Sequence, residues 1–365
     1  MTAPPSILLI DDNEQLLASL SAKLRERLGN EPVEIALWTP ATVDEDPEAS
    51  FKNRIDEKTV LVVTDYDLTS KGLRGLFGVS IVAWSQMAAV PVGDFSRGHR
   101  DSLPKEPNLF ALKVPNNDED GATFIAAIYA GFRDLASGLD AQPDLLKDKR
   151  SLAGVLAALM GRPHLESQFA LYMSRLGAAN AGLIERLRTM NADGGDDLQP
   201  MQKLMTYILG HVLANSILKF PGPILSDNAL AAYCATSNNE SDALAELFHD
   251  ARYGGPFSQV GRFYWREDVD GIIDAMSADV AVDGGAGFAD FNRAVVQARL
   301  ARVLAVHECG RCGGEKGGFW CPFTKRPVCE RADCSVPSSS WIPQGAQLTR
   351  VERDFYEELA PLMGL

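Results

Sequence analysis

Three short apolar runs, each ending in charge, constrain this chain of 365 residues more than any other feature. Ile7-Leu8-Leu9-Ile10 delivers an acid pair, Asp11-Asp12. Leu61-Val62-Val63-Thr64 delivers a single acid, Asp65. Leu109-Phe110-Ala111-Leu112 ends in Lys113, with Pro115 two residues on. Short apolar runs bounded by turn signals read as buried strands. Parallel strands point the same way, so their C-terminal ends meet at one edge of a sheet. Ligand sites in open α/β sheets form at that edge.

The spacing predicts strands over residues 6–12, 33–38, 60–64, 79–84 and 109–112. A helix over 13–28 carries Leu16, Leu17, Leu20, Leu24 and Leu28 on one stripe and stops at Gly29-Asn30. A closing helix over 121–137 has Phe124, Ile125, Ile128, Phe132 and Leu135 at helical spacing. Strands alternating with helices predict an α/β domain with a doubly wound, parallel, five-stranded sheet. Residues 72–79 are too few for a full third helix. Residues 86–108, with Pro91, Pro104, Pro107, Gly93 and Gly98, predict a fourth helix broken or replaced by loop.

Carboxylates crowded at one edge repel one another and call for a cation, and an all-oxygen site suits Mg²⁺. A carboxylate is also a competent nucleophile toward phosphorus, giving an aspartyl phosphate, and a lysine can neutralise the phosphoryl charge. Over residues 1–138 this set resembles the receiver domain of two-component response regulators. The resemblance implies Asp65 as phosphoacceptor and Mg²⁺ held by Asp12, Asp65 and the Asp67 carbonyl, with Asp11 assisting. It implies Lys113 against the phosphoryl group and Ser85, after the expected fourth strand, as the hydroxyl that senses it. A histidine kinase is the implied phosphodonor. The loop after Asp65 lacks the proline often found there in the family, and the region after the fourth strand is unlike its usual signalling face.

Hydrophobic residues make up 46% and charged residues 23% of the chain, with 49 acids against 35 bases and a formal charge of −14. That balance argues against a general nucleic-acid coat, which needs clustered Lys and Arg. No apolar stretch is long enough to span a bilayer. The N-terminal run has no basic segment ahead of it and is too short for a signal peptide, so a cytoplasmic address is expected.

Residues 137–143 read as a linker, and from 145 to 304 the periodicity is helical, predicting an all-α domain. Helices are expected over 152–160, 163–190, 200–220, 228–234, 241–251, 268–276 and 288–305, with Pro221-Gly222-Pro223 ending the third. His211 lies mid-helix, where it is either a phosphotransfer residue or a packed one. Arg252, Arg262 and Arg266 stand among Tyr253, Phe257, Phe263, Tyr264 and Trp265. These arginines either recognise an anion, a base or a phosphorylated partner, or rim an aromatic core. No Walker loop, G-x-S-x-G, H-E-x-x-H or kinase signature is present.

Five of the six cysteines fall between 309 and 334. Where thiols are kept reduced, such clustering points to metal rather than disulfides. Cys309-Gly310-Arg311-Cys312-Gly313-Gly314 resembles a zinc knuckle, and Cys329 with Cys334 supplies a second pair. A structural Zn²⁺ site closes with four ligands. The expected set is Cys309, Cys312, Cys329 and Cys334, with Cys321 as first replacement and His307 as a spare; Cys234 is expected to be merely buried. Arg311, Lys316, Lys325, Arg326 and Arg331 are nearly balanced by acids. The 305–340 segment therefore reads as a clip rather than a nucleic-acid reader, and 346–365 carries a last helix. The output expected of such a chain is a contact with another protein.

Overall fold

The computed structural model describes residues 4–40, 46–65, 68, 76, 78–95, 111–147, 151–173, 181–193, 198–278, 280, 287–314, 317–337 and 342–359. They divide into two compact units, 1–149 with 180–211 and 150–179 with 212–365.

The first unit is built on a five-stranded parallel sheet. Its elements are β1 (Ser6–Ile10), α1 (Glu14–Leu28), β2 (Glu34–Trp38), α2 (Pro47–Lys52), β3 (Thr59–Asp65), α3 (Gly78–Met87), β4 (Val92–Phe95), β5 (Leu112–Val114) and α4 (Asp118–Ala141). The strand order is β2-β1-β3-β4-β5, the flavodoxin-like order in which the sheet edge between β1 and β3 is the ligand-binding point. Leu8, Ile10, Val62 and Val92 pack with Phe51 of α2 and with Ile81 and Val82 of α3. The intervening residue Phe95 instead meets Gly121 of α4, beside Leu20 of α1. Asn13 caps α1, its side chain accepting from the Gln15 and Leu16 amides. Asn117 caps α4 in the same way through the Asp120 amide at 2.8 Å, and Asp118, Glu119 and Asp120 place negative charge at the positive end of that helix.

Two sequence expectations fail here. Residues 79–84 are not a strand but the centre of α3, and the fourth strand is Val92–Phe95. Within α3, Ile81, Val82 and Ser85 are buried while Val79, Ala83 and Met87 are exposed, which is a helical period. The helix has no charged residue to betray its outer face, so composition alone could not tell it from a strand. Pro91 stands just ahead of β4, where no donor is required, and its carbonyl accepts from the Val62 amide at 2.8 Å. The fifth strand begins at Leu112 rather than ending there. Whether a fourth helix of receiver type is replaced by loop falls within residues 96–110, outside the described residues.

Helices α8 (Ala181–Asp193) and α9 (Gln199–Val212) follow the short α5 (Asp144–Lys147), α6 (Leu152–Leu159) and α7 (Glu166–Met173) in the chain. Most of α8 and α9 belongs to the first unit, not to a separate helical domain. The Gln202 amide donates to the Ala136 carbonyl at 3.2 Å and to Asp140 at 2.7 Å, and Arg186 donates to the Met87 carbonyl at 3.0 Å. Gly210 lies flat against the Phe132 ring, which occupies the space a Cβ would need. Gly210→Ala is therefore expected to cost about 3 kcal/mol through overpacking, read as a lower urea midpoint. Phe132→Leu in the same chain should recover part of the loss.

In the second unit, β6 (Ile224–Ser226) and β7 (Phe263–Trp265) pair antiparallel, so the region expected to be all-α carries a small sheet. Three-residue strands are too short to set up a readable period. Around them α10 (Asp227–Tyr233), α11 (Ser241–Leu247), α12 (Arg266–Ser277) and α13 (Phe288–Leu300) enclose a core of Leu230, Cys234, Leu244, Phe248, Val269 and Val296. The C-terminal part folds as a hairpin of β8 (Phe319–Cys321) and β9 (Arg326–Val328) and an antiparallel pair of β10 (Ser335–Val336) and β11 (Val351–Glu352), then α14 (Arg353–Leu359). Among the described residues no helix is long and apolar enough to cross a membrane.

Two candidate metal centres

The first centre lies at the C-terminal edge of the parallel sheet. β1 and β3 are neighbours with Ile10 opposite Thr64, so the next residues, Asp11 and Asp65, leave the sheet side by side. One carboxylate oxygen from each of Asp11, Asp12 and Asp65 lies within 4.8 Å of the others. Asp11 and Asp12 are 6% and 5% exposed. The Asp11 backbone amide donates to the Trp38 carbonyl at 3.3 Å, and its side chain accepts from the Asn13 amide at 2.7 Å. The turn that starts α1 thus fixes the acid pair. Three carboxylates so close, two of them buried, are costly without a counter-charge, and hard oxygen donors of this kind fit Mg²⁺ completed by water.

Asp67 lies outside the described residues. Ser85 is not at a strand end: it is buried inside α3, 0% exposed, with no hydrogen-bond partner for its hydroxyl among the described residues. The residue that follows β4 in sequence is Ser96, also outside the described residues. Lys113 is exposed on β5 and stands in register with Asp94 of β4, which is in register with Thr64 of β3. Asp65 shares its own row with Phe95 and Val114. Asp94 escaped the sequence reading because the Pro- and Gly-bearing stretch around it read as loop. An acid inside Val-Gly-Asp-Phe, flanked by buried residues, was the available signal.

The second centre is formed by cysteines. One Sγ from each of Cys309, Cys312, Cys329 and Cys334 lies within 4.8 Å of the rest; Cys312 and Cys329 are 3.8 Å apart. The knuckle closes through Cys309 N–H to the Gly314 carbonyl at 3.0 Å and Gly313 N–H to the Cys309 carbonyl at 2.9 Å. Gly313 adopts φ +65, a conformation that favours glycine. The second pair is tied by the Ser335 hydroxyl donating to the Cys329 carbonyl at 2.6 Å and the Cys334 amide to the Arg331 carbonyl at 2.9 Å. Burial raises the Cys309 thiol, but N–H groups of Cys312, Arg311 and Cys329 outweigh it and bring its pKa down to about 7. Burial pushes Cys329 and Cys334 upward. Four sulfurs at this spacing, three of them buried, are a donor set for a tetrahedral soft or borderline ion such as Zn²⁺.

Neither spare ligand joins that set. Cys321 is fully buried and accepts from the Glu352 amide at 3.4 Å. His307 is 1% exposed, and burial lowers its pKa to about 4. Cys234 is buried in the core of the second unit.

Most of the remaining candidates are absorbed by packing or ion pairs. His211 is 0% exposed, its ring against Tyr207 and Phe132 with centroids at 4.8 and 5.4 Å. Burial brings its pKa down to about 3, so a neutral, enclosed imidazole takes the place of a phosphotransfer histidine. Arg262 is held by Asp227 at 2.5 Å and Asp242 at 2.8 Å, and the Tyr264 hydroxyl donates to Asp227 at 2.8 Å. Arg266 pairs with Asp270 at 3.9 Å. Tyr253, Phe257 and Tyr264 are core residues. Arg252 lines an open groove with His249, Asp250, Tyr253, Gln259 and Arg262. Around the cysteines, Arg311 pairs with Asp354 at 2.7 Å, Arg326 with Glu352 at 3.4 Å and Arg331 with Asp333 at 3.3 Å. Cations engaged this way do not make a phosphate-binding face. Lys316 lies outside the described residues.

No family model matches this chain, and no curated protein or solved structure compared with it matches either.

Proposed function

We propose that the first unit is a receiver-like, doubly wound domain that accepts a phosphoryl group on Asp65 and that the second unit carries the response. The observation that supports it most is the convergence of Asp11, Asp12 and Asp65 at the ends of adjacent parallel strands. In the proposed reaction a carboxylate oxygen of Asp65 attacks phosphorus. The P–N bond of a phosphohistidine on a histidine kinase breaks as the new P–O bond forms, and the departing imidazole keeps the electron pair and takes up a proton. Mg²⁺, when bound, would neutralise phosphoryl oxygens. Asp11 and Asp12 would hold the ion, and Lys113 would supply a further cation from β5. Water later attacks the acyl phosphate and returns Asp65.

The second unit, with its C-terminal segment clipped by Zn²⁺ on Cys309, Cys312, Cys329 and Cys334, is read as the part that meets a partner protein. The pairing of Arg262, Arg266, Arg311, Arg326 and Arg331 with carboxylates favours that over a nucleic-acid target. Phosphorylation would act by shifting a population toward the partner-binding state.

The metal half of this reading has its own test. Calorimetric titration with Mg²⁺ is expected to give one site in the first unit, weakened at least tenfold in Asp12→Asn. Equal affinity in the variant, or no site in the wild type, would overturn the assignment.

A further inference from the structure

Resting on the reading of the second unit as the part that meets a partner protein, we infer that the groove around Arg252 receives an acidic peptide segment of that partner, with a Glu or Asp carboxylate against the Arg252 guanidinium. Arg252, Tyr253, Ser258, Gln259 and Arg262 line the groove, together with His249 and Asp250. Arg252 stands opposite Tyr264 in an antiparallel bridge. Arg262 lies two residues before Tyr264, so the two arginines are diagonal neighbours on one face of that pairing, roughly 7–8 Å apart at the backbone.

The two differ in what holds them. Arg262 is clasped through Nε by Asp227 at 2.5 Å and through Nη1 by Asp242 at 2.8 Å, so its charge is compensated. Arg252 is exposed and makes no ion pair among the described residues, and the side chains of Ser258 and Gln259 make no hydrogen bond among them. Asp250 is 96% exposed and faces the His249 ring at 3.4 Å, where water screens it. The groove thus carries one uncompensated guanidinium beside an uncommitted hydroxyl and an uncommitted amide.

Its wall is preformed. The Tyr253 hydroxyl donates to the Pro256 carbonyl at 2.8 Å, and the Ser258 amide donates to the Gly255 carbonyl at 3.1 Å. Phe257 holds φ +65 with its ring buried, a conformation a bulky residue keeps only where packing fixes it. A Cβ at Gly254 would meet nothing within 4 Å, so the loop backbone there is open to approach. One free guanidinium matches one carboxylate, whereas a phosphate dianion calls for a second free cation. The Gln259 amide and Ser258 hydroxyl both donate and accept, as a peptide backbone requires. An open groove leaves much of a small molecule in water, but a chain lying along it is held at several points.

The test is an array of short peptides probed with the full chain purified with zinc. Each peptide is present with a central glutamate, with glutamine in its place and with phosphoserine in its place. Wild type is expected to retain the glutamate members about tenfold better than their glutamine partners, the worth of one charge-assisted contact. Arg252→Gln should erase that preference, Arg252→Lys should keep part of it, and added salt should weaken it. Arg299→Gln, which removes an exposed arginine from α13, should change nothing, so loss of positive charge alone does not mimic the result. Retention of peptides without regard to glutamate, unmoved by Arg252→Gln, overturns the inference and leaves the partner reading standing. So does a stronger hold on the phosphoserine members. A dimer in solution that Arg252→Gln dissolves would put a second copy of this chain in the groove, which also overturns it. Retention of no peptide by wild type overturns the inference and counts against the partner reading with it.

Discussion

Cys329→Ser is expected to release the metal and loosen the C-terminal segment around the cysteines while leaving the parallel sheet intact. The segment also docks on its own unit, Leu348 entering that unit's core and the Phe319 and Phe323 rings meeting Phe288 and Phe220, but the two cysteine pairs are joined to each other through the metal. Its own small clusters are Val351 with Phe323, Ile342, Phe355 and Tyr356, and Cys309 with Cys329 and Cys334. Structural Zn²⁺ contributes roughly 10–16 kcal/mol in finger peptides near neutral pH, far more than hairpins of three-residue strands supply. Burial holds the Cys329 and Cys334 thiols protonated in the absence of a cation, so binding must displace their protons and weakens as pH falls. Metal content by elemental analysis should drop from one zinc per chain to near none in Cys329→Ser. Proteolysis should then open the 305–352 region first. Cys321→Ser and Cys234→Ser should keep the metal. Retention of zinc by Cys329→Ser together with its loss from Cys321→Ser would show that the ligand set is wrong.

Asp65→Asn is expected to abolish phosphoryl acceptance outright, since an amide lacks the nucleophilic oxygen of a carboxylate. Asp12→Asn should retain the nucleophile but slow uptake by about 100-fold or more, on the order of 3 kcal/mol in the barrier. It removes one of three carboxylates that meet within 4.8 Å. Both variants should fold. Trading one carboxylate of the cluster for an amide removes repulsion, so their melting temperatures should match or exceed that of the wild type in the absence of divalent ions. Full uptake by Asp12→Asn would show that the acid pair does not hold the ion.

The parts of this fold that were legible in sequence are those where charge interrupts an apolar run. Asp11, Asp12 and Asp65 end their strands abruptly, and adjacency of β1 and β3 brings them together. Cys309-x-x-Cys312 was legible because two thiols and three glycines at that spacing serve few other purposes. Where charge was missing, the reading failed. α3 has no charged residue, so its buried and exposed faces are invisible in the sequence and its apolar run reads as a strand, with Ser85 at its end. The same error hid β4, and with it Asp94. The rejection of Cys321 depends on a tertiary contact, the Glu352 amide. The attachment of α8 and α9 to the first unit depends on Gln202, Arg186 and the fit of Gly210 to Phe132. No local pattern encodes contacts between residues so far apart in the chain.

The measurement that tests the central claim most directly is chemical trapping of the acyl phosphate. Wild-type protein is incubated with acetyl phosphate, with and without Mg²⁺, reduced with borohydride, digested and mapped by mass. Reduction of an aspartyl phosphate leaves homoserine, so a receiver predicts homoserine at position 65 and nowhere else, only when Mg²⁺ was present. Homoserine at another acid, an adduct independent of Mg²⁺, or none with either acetyl phosphate or a phosphorylated histidine kinase would contradict it.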